Sequence, residues 1–460
     1  MITVKDILET SNSEFKSANI DENTHFSSVV IDSRKVTPGC LFIAIKGEKF
    51  DGHDFISEVL DKGAGCVVVK KSRYAPVARS GAPVIGAPDT VGALGSIAGA
   101  WRSKLGATVI GITGSNGKTT TKDMVATLLR TKYSTVATVA NNNNHIGVPL
   151  TLLDAKYETK FVVCETGTNH FGEIRYSANI AQPDIATITN IGDSHLEFLI
   201  NRKGVRKEKE ALLEITAARG GKVILNCDDP FLKRMTKEYP NAIKISIKNR
   251  MDVSGTVLNY SESGLPVMKI EAGNNSVRFE LPLYGKKNCD NALMAAAIAL
   301  ECGMTLEEIG KAFSLVKAPK GRMNRSTLDG FDVIDDTYNA NPESMKSAFE
   351  AMKKDIIHER KIAILGDMFE LGENAVQMHI DLVHSIKKGR IKTIFLTGKN
   401  MKHLHSAAKA EGINSTYFAS KEKMIEYLKN YEFRNSLVLV KGSRGMQMEV
   451  IVNFLKEKGN

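Results

Sequence analysis

No stretch of this sequence approaches the roughly 18 consecutive apolar residues that a membrane-spanning helix needs, so a protein without membrane insertion is expected. The opening MITVKDILETSNSEF places acidic and polar residues where a secretory leader needs an apolar core, and a cytoplasmic location is expected. Cysteines are few. Cys40, Cys66, Cys164, Cys227, Cys289 and Cys302 lie far apart with no CxxC pair, which argues against a disulfide framework or zinc ribbon and for reduced, buried thiols. Internal repeats and low-complexity tracts are missing too. The formal net charge of +10 could suit nucleic acid. Without a zinc finger, an aromatic RNP signature or a long Lys/Arg tail, it points instead to a polyanionic small substrate.

What is present is an ordinary folded composition, 42% hydrophobic and 25% charged, over 460 residues. That length exceeds what one core organises, so two or three domains are expected. Pattern separates three segments, 1–105, 106–317 and 318–460. The first has short apolar runs at 29–31, 41–45 and 66–69 with helical stretches between them. The second opens on a buried-strand pattern at 107–113 and repeats it at 161–164, 185–188 and 223–225, as a parallel sheet covered on both faces does. Alternation at 253–260, 267–270 and 277–281 predicts a small antiparallel patch. The third segment, with strands expected near 333–334, 361–365, 394–396 and 437–440, reads as a second doubly wound unit. The expected fold class is α/β, with a central P-loop parallel-sheet ATPase domain and a C-terminal Rossmann-like domain.

The strongest local signal is GITGSNGKTTT, which follows a buried strand and precedes a helical pattern over 122–130. Glycines let backbone amides approach phosphate oxygens, and the helix N-terminus adds positive potential. In this reading Gly114, Ser115, Asn116, Gly117 and Thr120 cradle phosphate, Lys118 reaches the β- and γ-phosphates, and the Thr119 hydroxyl meets Mg²⁺. The strict pattern has glycine where this chain has Ile112, so a Gly-rich turn that binds nothing is the competing view. No NKxD motif reads guanine, which favours ATP. Glu165 ends the apolar run at 161–164, at the strand edge where open α/β sheets bind ligands, and suits a hard, oxygen-seeking cation.

TGSNGKTTT, NNNNHIGVPLTLL, ETGTNHFGEI, TNIGDSHLE, DDTYNANPESM, GDMFELGE and VKGSRGMQME follow in this order across most of the chain. Together they resemble the Mur ligases, within them the branch that adds D-alanyl-D-alanine to UDP-N-acetylmuramoyl-tripeptide in peptidoglycan synthesis. The resemblance implies that the three segments are a UDP-substrate domain, an ATPase domain and a C-terminal α/β domain, and that the chain is a monomer. It also implies two Mg²⁺ ions. One lies between the β- and γ-phosphates and matches Thr119 and Glu165; the other is held by a histidine matching His195 and by a carbamylated lysine. Lys209 in RKEKEALL is the match for that lysine, with Lys207 as the alternative and a solvated basic helix face as the bland reading. Carbamylation turns a cation into an oxygen-donor anion suited to Mg²⁺. Lys118, Glu165, His195 and Lys209 are the implied catalytic set.

By the same resemblance Arg322 reaches to ATP, Asp336 binds ribose, Asn291 reads adenine and Tyr338 lines the nucleotide site. Ser33, Arg34 and His53 match UDP-binding positions, and Asn143, Asn144, Thr168 and Asn169 face the muramoyl-peptide. Lys441 and Arg444 meet phosphate or dipeptide, or merely form a turn. Two departures stand out: Phe198-Leu-Ile-Asn201 replaces a Gly-rich stretch, and Lys287 replaces a histidine. The alternatives are the diamino-acid-adding ligase of the same family, folylpolyglutamate synthase, and a nucleotide-binding homologue without catalysis.

Overall fold

The computed structural model describes residues 2–10, 14–194 and 196–459. The chain forms two compact units. One comprises Met1–Thr113, Lys132–Thr187 and Glu208–Val223; the other comprises Gly114–Thr131, Ile188–Lys207 and Ile224–Asn460.

In the first unit, Cys66–Lys70 and Val84–Ala87 are Val/Ile-rich and buried, and they pair in parallel within a five-stranded sheet. Leu41–Ile43 and Val29–Val30 continue it in parallel, and Lys16–Ala18 closes the far edge antiparallel. Asp89 caps the helix Thr90–Lys104 by accepting from the amides of Val91 and Gly92. That helix packs on the helices Gly147–Leu153 and Glu173–Ala181. Leu94, Ile97 and Trp101 thus share one core with Val148, Leu152 and Cys164. The strands Thr108–Thr113, Phe161–Glu165 and Thr135–Ala137 run parallel in this unit, as the continuous apolar runs predict.

In the second unit the patch expected at 253–281 is a meander. Val253–Tyr260, Pro266–Ala272 and Asn275–Glu280 pair antiparallel. The C-terminal sheet has six strands in the order Asn324–Leu328, Phe331–Asp336, Ser436–Lys441, Arg360–Gly366, Thr393–Thr397 and Asn414–Phe418. Only its first pair is antiparallel. Side chains alternate between its faces with period two. Ile334, Ala363, Leu365, Leu437 and Leu439 join one core; Val333, Ile362, Ile364, Val438 and Val440 join the other. The sheet is therefore covered on both sides, and Asp336, Gly366 and Lys441 end three neighbouring strands at one edge. Among the described residues no helix is long and apolar enough to cross a membrane.

The helix Lys286–Glu301 packs along Lys118–Arg130 and carries Asp290. Burial pushes this carboxyl up to about 6, with Lys287 opposing the shift and Asp228 adding to it. A carboxyl raised from 3.8 binds more protons folded than unfolded, so stability falls as pH rises between 3.8 and about 6. Asp290→Asn is expected to raise stability at pH 7.5 by about 1–2 kcal/mol and to leave it unchanged at pH 3.5. Denaturant unfolding at the two pH values checks this; equal effects at both would refute it.

Candidate active site

The loop after Thr108–Thr113 turns through Gly114 (φ 152°) and Gly117 (φ 82°), the second in the left-handed region. Close packing adds a second demand for glycine. A Cβ at Gly114 would lie 1.9 Å from Thr189 Oγ1, and one at Gly117 would lie 2.4 Å from Asn291 Oδ1. The segment 189–194 laces this loop in place. Thr189 Oγ1 and Asn190 Nδ2 donate to the Asn116 carbonyl at 2.5 and 2.9 Å, and the Asn116 amide donates to Asn190 Oδ1 at 3.1 Å. The Ser115 amide donates to the Asn190 carbonyl, and the Gly192 amide to Ser115 Oγ. Thr189 and Asn190 are therefore loop braces that the TNIGDSHLE motif contained but side-chain chemistry alone did not flag. Gly117→Ala, strained in φ and pressed on Asn291, should weaken nucleotide affinity about tenfold or more in a fluorescent-ATP titration. Binding within about twofold of wild type would contradict this packing.

Several predicted nucleotide residues meet in this second unit. Lys118 Nζ donates to the Gly114 carbonyl at 2.8 Å, and Thr119 and Thr120 are buried at the helix start. Arg322 lies over the Tyr338 ring, 4.1 Å from its centroid, and its Nη2 donates to Thr119 Oγ1 at 3.3 Å. Asn341 Nδ2 donates to Asn116 Oδ1, and Asn116 Nδ2 donates to Glu343 Oε2. Lys287, the departure from the family histidine, pairs with Glu343 at 2.9 Å. Glu343 was not singled out from sequence, although it sits in the DDTYNANPESM motif. Buried Asn291 packs on Gly117 and donates to Asn288 Oδ1.

The buried Asp336 accepts from the Met323 amide through Oδ1 and from Lys441 Nζ through Oδ2. Lys441 is buried and also donates to the Asn339 carbonyl, so it holds the 336–341 loop rather than projecting toward a phosphate. Ser443 ties three strand-end loops together. Its amide donates to the Asp367 carbonyl, its hydroxyl to the Ala340 carbonyl, and it accepts from the Phe369 amide. Within GDMFELGE, Asp367 accepts from the amides of Asn400 and Met401, capping the helix Met401–Ala410. His379 Nε2 accepts from the Met368 amide, so its Nδ1–H donates to the Ala375 carbonyl. Burial holds this imidazole below its usual pKa, in keeping with a neutral structural ring.

Glu165 and Lys209 belong to the first unit, apart from Thr119, and His195 lies outside the described residues. Buried Glu165 ends its strand as expected, accepting from Asn143 Nδ2 at 2.7 Å, while its amide donates to Thr138 Oγ1. In the helix Arg202–Ala218, Glu208, Lys209, Leu212, Leu213 and Thr216 form the buried stripe, whereas Lys207 is exposed. Lys209 is 1% exposed. Its neighbour Glu208, missed from sequence, accepts from the amides of Gly172 and Ile174 at 2.7 and 2.8 Å and from Thr168 Oγ1. One helix therefore fixes both the ETGTNHFGEI turn and Lys209. Among the described residues, no three His, Cys, Asp or Glu side chains converge as a metal cluster. The buried Glu165 carboxylate in the first unit and the buried Thr119 hydroxyl in the second are each a hard oxygen donor of the kind Mg²⁺ takes.

The substrate positions divide by what they already hold. Arg34 folds back on Asp32 through a fork at 2.9 and 2.7 Å, and its hydrogen bonds hold the Asp32 carboxyl at about 2. Ser33 opens the short helix beside it. His53 Nε2 accepts from the Lys70 amide, leaving Nδ1–H to donate to Asp51 at 2.6 Å. Both ring nitrogens are thus engaged, and the ring braces the Gly52 turn. Asn143 is committed to Glu165 and Thr168 to the His170 carbonyl and Glu208. Asn144, exposed, caps Gly147–Leu153 through Oδ1, and Asn169 is exposed.

Comparison with known proteins extends the geometry to the whole chain. Sequence models of the Mur ligase family catalytic domain, the Mur ligase middle domain and the Mur ligase glutamate ligase domain match residues 25–102, 112–299 and 321–444. The UDP-N-acetylmuramoyl-tripeptide–D-alanyl-D-alanine ligase of Bacillus subtilis is 35% identical over 464 residues, spanning 99% of this chain and 98% of that protein. The crystal structure of MurF from Acinetobacter baumannii superposes with a TM-score of 0.87 at 29% identity, covering 99% of this chain and 98% of that one. MurF from Thermotoga maritima in complex with ADP gives a TM-score of 0.80 at 27% identity, over 94% and 97% of the two chains.

Proposed function

The chain belongs to the Mur ligase family, and we propose on that premise that it joins D-alanyl-D-alanine to UDP-N-acetylmuramoyl-tripeptide, driven by ATP. It is an ATP-dependent carbon–nitrogen ligase of peptidoglycan synthesis. The γ-phosphoryl group of ATP passes to the terminal carboxylate of the tripeptide, giving an acyl phosphate and ADP. The dipeptide amine then attacks that acyl carbon, the new C–N bond forms, and phosphate leaves with the electron pair of the broken C–O bond. Phosphate is needed because oxide is too poor a leaving group at neutral pH.

The observation that carries the nucleotide half is Arg322, held on Tyr338 and reaching Thr119 of the phosphate loop. Its planar cation suits charge spread over a transferring phosphoryl group. In this reading Lys118 would neutralise the β- and γ-phosphates, Gly114, Ser115, Asn116, Gly117 and Thr120 would cradle them, Asn291 and Asp336 would hold adenosine, and Glu165, Thr119, His195 and carbamylated Lys209 would hold two Mg²⁺ ions. Bound Mg²⁺ would neutralise charge on the phosphates and the developing acyl phosphate. Ser33 and Arg34 contact UDP with His53 behind them, and Asn144 and Asn169 reach the muramoyl-peptide with Asn143 and Thr168 positioning that loop. We place this work in a monomer in the cytoplasm, with 1–105, 106–317 and 318–460 as its domains.

The test is phosphate release from ATP with UDP-muramoyl tripeptide, with and without D-Ala-D-Ala, tracking the nucleotide product by mass. Dipeptide-dependent release and a matching pentapeptide mass are expected. Turnover only with a UDP-dipeptide and a diamino acid would reassign the chain to the other ligase branch.

A further inference from the structure

Within the second unit the C-terminal sheet meets the preceding segment at two places of different character. At the phosphate loop the contacts are partly exposed, Asn341 and Glu343 to Asn116, Arg322 to Thr119 and Glu343 to Lys287. Three residues beyond Arg322, on the strand Asn324–Leu328, Arg325, its side chain 10% exposed, makes a junction of another kind. Its Nε donates to Asp332 Oδ2 at 2.5 Å, and its Nη1 lies 3.0 Å from Asp355 Oδ2. Asp332 lies on the neighbouring strand and Asp355 at the end of the helix Pro342–Lys354, and together they orient the guanidinium. Nη1 then reaches the Ser263 carbonyl at 2.8 Å and the Tyr284 hydroxyl at 3.2 Å.

Ser263 lies in the turn between Val253–Tyr260 and Pro266–Ala272, and the Tyr284 ring centroid is 5.3 Å from the guanidinium carbon. Neighbouring bonds reinforce the junction. The Ile356 amide donates to the Glu262 carbonyl at 3.2 Å, and His358 Nδ1 sits 3.1 Å from Asp355 Oδ1. Beside it lies a cavity of about 910 Å³, lined among others by Val316, Lys317, Ala318, Met323 and Arg325. The segment 316–318 thus lines a cavity on the side of this junction.

We propose that Arg325 is the pivot of the C-terminal sheet, a positioning residue whose bonds to the Ser263 carbonyl and Tyr284 hydroxyl set where Arg322 meets the phosphate loop. A charge-assisted junction that is mostly covered outlasts contacts whose ion pair is half exposed to water, so the nucleotide end opens while this end holds. Only a planar fork fits two carboxylates, a carbonyl and a hydroxyl at once; a lysine at this position keeps the charge and loses the geometry.

The test compares Tyr284→Phe and Arg325→Lys in the full chain. Spin labels on Lys237→Cys and Lys402→Cys, in a Cys302→Ser background, report the distance distribution with and without ADP by electron–electron resonance. Arg325→Lys is expected to broaden the distribution about twofold and to lower kcat about tenfold, with the KM for the UDP-tripeptide nearly unchanged. Tyr284→Phe, which removes one bond and little bulk, should broaden the distribution less and lower kcat about two- to threefold at an unchanged Tm. Wild-type distributions in both variants overturn the pivot, whether or not activity falls. The kinetic arm rests on the ligase reading, the distance arm does not. A chain without ligase activity whose variants still broaden sinks that reading and leaves the pivot standing.

Discussion

Lys209→Ala is expected to lower kcat by about 10³-fold while the affinity for an ATP analogue stays within about twofold of wild type. The lysine lies on the buried stripe of its helix at 1% exposure, next to Glu208, which anchors the turn carrying Thr168. A lysine this deep is poorly placed to act as a solvated cation. Its neutral amine can add CO₂ and release a proton, giving a carbamate whose oxygens suit Mg²⁺. On the proposed role, removing it would take away an anion at the acyl phosphate but not the loop that binds ATP, so binding and turnover should separate. Short carboxylates added to the variant should restore part of the rate by supplying the missing oxygens. Lys207→Ala, altering an exposed side chain two residues earlier, should be close to wild type. Full activity in Lys209→Ala, or the loss appearing in Lys207→Ala instead, would move or remove the carbamate. Steady-state kinetics and a nucleotide titration on the two variants decide it.

Arg102→Ala should be the most destabilising single change in the first unit, costing about 3 kcal/mol and lowering Tm by roughly 6–12 °C. Arg102 ends the helix Thr90–Lys104 and is buried. Its Nε donates to the Ala181 carbonyl at 3.0 Å, and its Nη2 to the Gln182 carbonyl at 3.0 Å and Asp184 Oδ2 at 2.8 Å. Asp184 Oδ2 accepts in turn from the Val109 amide, at the start of the strand that runs into the phosphate loop. Truncation leaves two carbonyls and a carboxylate short of a donor. The partly exposed Asp184 can recover water, which places the loss at the lower end for buried pairs. Arg102→Lys, which keeps charge without the fork, should fall between. A Tm within about 2 °C of wild type in Arg102→Ala would show that the junction carries little of the stability. The neighbouring Trp101, donating to the Ala155 carbonyl at 2.9 Å, would then be the main tie.

Much of this protein was legible in the order of its residues. Apolar runs such as CVVVK and SLVLVK read as buried parallel strands because both faces of such a strand must be covered, and the cores on the two faces of the C-terminal sheet bear that out. GSNGKTT read as a phosphate loop because glycine torsions and a helix start are local properties, and the two positive-φ glycines are where that chemistry needs them. The order of seven motifs was enough to name the family.

What only the tertiary structure decided were the partners of polar side chains, which depend on segments far apart in sequence. His53, a match to a UDP-binding position, bonds Asp51 and the Lys70 amide; Lys441, read as a phosphate or dipeptide contact or a turn, holds Asp336; and Asn143 is bound to Glu165. Glu208 and Arg325 were not singled out in the sequence, yet Glu208 is buried among donors and Arg325 is mostly covered by acceptors from distant segments. Lys209, the match chosen by resemblance, and Lys207, its alternative two residues earlier, differ in the fold as well, one buried and the other exposed. A residue's type sets which bonds it can make; the fold selects, among many candidates at no fixed spacing, the ones it does make.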